Sequence, residues 1–201
     1  MGGVAIGGRR TGKEANLISR TLFVSRDLNH LRTFLLEGLR VAQEKLRPLA
    51  ERWRAGEFAN HDDFSNAADE PLSVQQITLR AVYHELASLI EHELQQAAPS
   101  ASPTPAHDML YRDVVAAVEQ HHGISISYLP GFASVERVRA AENAFKHRRG
   151  LKSHRKPLDD PKRIPDYYDP DFEAARDAIA EVETFLTALW RSVERASRRV
   201  S

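Results

Sequence analysis

The sequence predicts an all-α fold, an antiparallel bundle of four to five helices. Apolar residues recur at three- and four-residue intervals in five separate stretches, which is the helical period. The one alternating segment, Ile124 to Tyr128, has no partner strand and runs at once into Pro130-Gly131, so it reads as an extended connection. A hydrophobic share of 42 % in 201 residues suits a single domain with a sizeable core. The expected organisation is a flexible tail over residues 1–12 and one helical domain over 13–201. Linkers are expected near 59–71, 97–106 and 150–169.

The first helical segment runs from about Lys13 to Phe58, with Leu28, Leu31, Phe34, Leu35, Leu39, Val41, Leu46, Leu49 and Trp53 on its apolar stripe. Ser25 reads as an N-cap with Asp27 in the first turn. Gly38 weakens this helix, Pro48 kinks it or ends it early, and Gly56 stops it. Residues 59–71 are polar and aperiodic, hence loop. Ser73 with Gln76 forms a capping box that opens the second helix. Its stripe is Val74, Ile77, Ala81, Val82, Leu86, Leu89, Ile90 and Leu94. Three prolines with Ser and Ala make 97–106 a linker. A third helix spans about Asp108 to His122 and ends at Gly123. Ser134 caps a fourth that reaches Arg148. Asp169-Pro170 starts the last, whose stripe runs from Phe172 to Val193.

Charge and composition exclude several classes. The 28 basic and 28 acidic residues cancel, so there is no uniformly basic coat, and any nucleic-acid binding must be local. Absence of cysteine excludes disulfides and thiolate metal sites, and fits a cytoplasmic protein. No apolar run approaches the roughly 18 residues of a membrane span. Met1 to Gly8 lacks the apolar core of a signal peptide. Gly7 to Lys13 lacks the spacing of a phosphate-binding loop. His61-Asp62-Asp63 reads as a solvated loop cluster rather than a metal site, so no metal and no cofactor are expected.

The chemistry concentrates in Asn143-Ala144-Phe145-Lys146-His147-Arg148-Arg149-Gly150, followed by Lys152, His154, Arg155 and Lys156. On a helical wheel Val135, Val138, Ala141 and Phe145 form the core face of the fourth helix. Arg139, Asn143 and His147 are successive four-residue steps and form one row on nearly the opposite side, with Glu142 on the flank. An imidazole moves protons near neutral pH. A guanidinium holds a phosphate, and an amide orients either. These are parts suited to RNA cleavage without metal. Arg139, Asn143 and His147 are therefore the candidate catalytic residues. Lys146, Arg148, Arg149, Lys152, Arg155 and Lys156 are the candidate RNA-binding residues. A charged face opposite an apolar stripe is also what an ordinary surface helix shows.

Asn143 to Gly150, late in an all-helical chain, resembles the signature of the HEPN superfamily. That motif is Arg, a polar residue, three variable residues and His. Asn143 and His147 match it, whereas Glu142 occupies the position of the Arg. Tyr83 to Glu91 is similar to the helix that precedes the motif in such bundles. The resemblance implies a helical bundle, commonly a homodimer, acting as a metal-independent endoribonuclease. It further implies a toxin–antitoxin or antiphage setting, with RNA as substrate and an antitoxin or defence-system protein as partner. A dimer would bring two copies of Arg139, Asn143 and His147 to one cleft. The alternative is a non-catalytic helical subunit that binds RNA, acts like an antitoxin or serves as a scaffold. Glu142 favours the alternative, and the Asn143–His147 pair favours the enzyme.

Overall fold

The computed structural model describes residues 12–99, 105–148 and 171–199, and every regular element among them is helical. The long helices are α1 (Gly12–Arg54), α2 (His61–Ala97), α3 (Tyr111–His122), α4 (Phe132–Arg148) and α5 (Phe172–Arg199). Short 3-10 turns occupy Ala106–Asp108 and Ile126–Tyr128. Of the tail expected over residues 1–12, residues 1–11 lie outside the described residues and Gly12 already opens α1; the linker expected over 150–169 also lies outside them.

Four helices form a ring in which α1 packs on α2, α2 on α4, α4 on α5 and α5 back on α1. Across the ring α2 also meets α5, and α3 closes one side against both. The core follows the apolar stripes except at Phe34, Val41, Trp53 and Ile77, which are exposed. Leu28 of α1, Leu79, Leu86, Ile90 and Leu94 of α2, and Ile179, Phe185, Leu186 and Leu189 of α5 are buried together. The stripe of α5 is continuous, with neither Gly nor Pro inside it, so the whole helix turns one face inward.

Several local expectations change. Ser25 does not cap α1, which already runs from Gly12; its hydroxyl instead bonds Glu183 of α5 (3.2 Å). Pro48 lies inside α1 without ending it. The loop expected at 59–71 is helix. Asn60 caps α2 by accepting the Asp63 N–H (2.9 Å), and Asp62 and Asp63 favour that N-terminus electrostatically. Phe64 then packs on Trp53 and Phe58, which joins the two helix ends at the hairpin tip. Ala68 and Pro71 are buried, so packing outweighs the hydrogen bond that Pro71 removes. Ser73 is consequently mid-helix. The connection at Ile124 to Tyr128 closes into a 3-10 turn whose Ile126 is buried.

Helix α4 begins at Phe132, two residues before the expected cap Ser134. Gly131 turns the chain with φ +82°, where a Cβ would collide with the Glu181 carbonyl of α5. That close approach requires glycine. Ser134 is buried and donates to the Glu181 carboxylate, which Arg137 also meets at 3.0 Å. Asp171 caps α5 by accepting the Ala174 N–H (2.6 Å), a role assigned from sequence to Asp169, which is outside the described residues.

Candidate functional site

Helix α4 places Asn143 at its exposed surface beside Lys146. Val135, Val138, Ala141 and Ala144 face inward. Phe145 packs partly buried against the core and edge-on to Tyr83 of α2 (6.3 Å). The backbone of α4 continues through His147 and Arg148. The His147 and Arg148 side chains fall outside the described residues, as do Arg149, Lys152, Arg155 and Lys156.

Arg139 is not a free member of the row. Its guanidinium lies 3.1 Å from the centre of the Tyr111 ring and 3.6 Å from Glu136, and its side chain is only 19 % exposed. The Tyr111 hydroxyl donates to Glu136 (3.3 Å), so the three residues lock α3 to α4. Burial pushes the Tyr111 phenol well above its usual range. The buried Arg139 Nε has no hydrogen-bond partner within the described structure.

Glu142, expected on the flank, is buried. Its Oε1 lies 2.5 Å from Lys146 Nζ and 3.2 Å from His84 Nδ1 on α2. An ionised carboxylate only accepts hydrogen bonds, so His84 donates to it through Nδ1. The His84 side chain is half exposed, so its ring is open to solvent. Arg80, one turn earlier on α2, lies over the Phe145 ring (5.6 Å). The surface formed by α2 and α4 thus brings together His84, Lys146 and Asn143 above a shielded carboxylate.

Sequence reasoning placed His84 only within a helix resembling the one before the motif, and assigned it no role. Its partner is 58 residues away, so spacing alone does not reveal the pair. Glu93 was also missed. It lies in the α2 core stripe, buried, accepting from the Trp190 indole (2.7 Å) with Arg20 at 3.8 Å. A carboxylate in register with Ile90 and Leu94 was the legible signal. Two other histidines make local structural contacts: His122 Nε2 bonds the last carbonyl of α2, at Ala97 (2.9 Å). His61 lies edge-on to Trp53 (6.1 Å) and bonds Ser65. Among the described residues no three His, Asp or Glu side chains converge as metal ligands, and no helix is long and apolar enough to cross a membrane.

Compared with protein-family models, curated proteins and solved structures, the chain matches none.

Proposed function

We propose that this chain is a HEPN-like metal-independent endoribonuclease, a toxin component of a toxin–antitoxin or antiphage system, acting at the α2–α4 surface as a homodimer. The shielding of Glu142 supports this reading. A carboxylate at the family's Arg position would repel a phosphate if it were exposed. Here it is buried, paired with Lys146, and turned to orienting His84. The exposed groups nearby are a cation, an amide and the His84 imidazole, which suit an anionic strand. In the proposed reaction one imidazole takes the proton of a ribose 2′-hydroxyl as its oxygen attacks the adjacent phosphorus. The bond to the 5′-oxygen breaks, and that oxygen takes a proton from a second imidazole. Helix α4 carries His147 as one of these groups, and a dimer supplies the second copy.

The second reading is a non-catalytic RNA-binding, antitoxin-like or scaffold subunit. The engagement of Arg139 with Tyr111 and Glu136 favours it, because the row then lacks a free guanidinium for the transition state. Incubation of the purified protein with total RNA in EDTA separates the two. Cleavage by wild type that is lost in His147→Ala and reduced in His84→Ala, with the dimer intact, supports the enzyme. Salt-dependent RNA binding without cleavage supports the RNA-binding form of the second reading, and absence of both overturns the enzyme and leaves only an antitoxin-like or scaffold subunit.

A further inference from the structure

A second surface, on α5 and away from the α4 motif, has the features of a ligand site. Arg191 and Arg195 line an open groove of about 610 Å3 whose far wall is Leu129 and Pro130. They stand one turn apart, about 6 Å along the helix axis, so their guanidiniums form a short cationic row. Unlike most of the described arginines, neither makes an ion pair among the described residues. Thr187 and Ser192 add hydroxyls to the same lining. The one carboxylate there, Glu183, is held by Arg32 of α1 (2.5 Å) and by Ser25, so its charge is offset from behind. Tyr128, adjacent in sequence to the wall residue Leu129 and not itself part of the lining, is 88 % exposed, the most exposed large apolar or aromatic side chain among the described residues. A tyrosine bonded to nothing and projecting into water contributes nothing visible to the fold.

Two guanidiniums without ion pairs among the described residues, at a spacing suited to neighbouring phosphates, with hydroxyl donors in the same lining and a solvent-facing aromatic ring beside a wall residue, are the requirements of one ligand class. We propose that the α5 groove binds single-stranded nucleic acid, with Arg191 and Arg195 on the phosphates and Tyr128 stacked on a base. Stacking tolerates any base, and cations track any backbone, so binding here is independent of sequence. This site does not rest on cleavage at α4. His147 lies about 24 Å from Gly131 along α4, at the end of that helix remote from the groove wall, so the two surfaces are separately testable.

The test is fluorescence anisotropy of the full chain with labelled oligouridine, and with the matching DNA strand, across a salt series. Arg191→Gln/Arg195→Gln should weaken both strands and reduce the salt slope by about 1.4, at about 0.7 per phosphate contact on a single strand. Tyr128→Ala should weaken binding roughly tenfold with the slope unchanged. Helical circular dichroism should remain that of wild type, since all three side chains are exposed. Equal loss for RNA and DNA identifies a phosphate-and-base site, and loss for RNA alone adds a contact to the 2′-hydroxyl. An unchanged slope in the arginine variant, unchanged affinity in Tyr128→Ala, or no strand binding by wild type overturns the proposal. Neutralising Arg148 and Arg149 reports on α4 instead. If that change alone removes binding, the groove proposal fails and the α4 reading stands.

Discussion

Tyr111 and Arg139 illustrate how one long-range contact redefines a residue. Spacing within α4 correctly put Arg139, Asn143 and His147 four residues apart. It carried no information that a tyrosine 28 residues earlier would cover the first of them. The contact has a pH consequence. Burial disfavours the phenolate, which outweighs the opposing pull of Arg139, and the Glu136 carboxylate adds to the rise. The unfolded chain releases this proton at the ordinary value of about 10, before the folded chain does. Its contribution to stability is therefore complete below about pH 10 and is lost as pH rises beyond it. The urea midpoint should fall on raising pH through that window, and Tyr111→Phe should flatten the fall. An equally steep decline in Tyr111→Phe would show that other groups drive it. Glu142 was legible as a departure from a motif. Its burial against His84 was not, because the pairing depends on how α2 and α4 cross.

Helix α2 was half legible. From Val74 to Leu94 its apolar period is regular, and the stripe supplies much of the observed core. Its first three turns, from His61 to Pro71, have few large apolar residues and a proline, so they read as loop. What makes them helix is a cap at Asn60 and a partner, α1, running alongside. Propensity yields to such tertiary support. The crossing of the two helices depends on Gly38, read from sequence only as a weak point. A Cβ there would run into the Thr78 side chain, whose hydroxyl is fixed on the Val74 carbonyl (2.8 Å). Gly38→Ala should therefore destabilise the fold by about 1–3 kcal/mol, the usual range for overpacking. In a Thr78→Ala background the same change should be neutral, or stabilising by up to about 1 kcal/mol through better helix propensity. A chemical-denaturation cycle over the four proteins measures the coupling. Simple additivity would mean the two helices do not meet at this pair.

At the level of the molecule, the all-helical class and the continuous stripe of α5 were both readable, because burial of an amphipathic helix leaves its period in the sequence. The order of helices around the ring was not, since the same stripes fit several arrangements. The ring makes α5 indispensable, as it touches each of the other four helices. Leu186 sits fully buried at its middle. Leu186→Asp removes about 1.5–3 kcal/mol of burial and adds an unpaired buried charge costing several more, against a total stability of about 5–15 kcal/mol. The variant should be unfolded by circular dichroism at room temperature, and a wild-type melting curve would refute this architecture. The two tryptophans of the chain stand in unlike places. Trp53 is 41 % exposed at the tip of the α1–α2 hairpin, whereas Trp190 is 7 % exposed in the core, with its indole on Glu93. The protein thus carries two intrinsic fluorophores of different colour, a red-shifted one at the tip and a blue-shifted one in the core. Single Trp→Phe variants would give each end of the bundle its own optical channel, so that fraying of the hairpin and melting of the ring register as separate signals without any label.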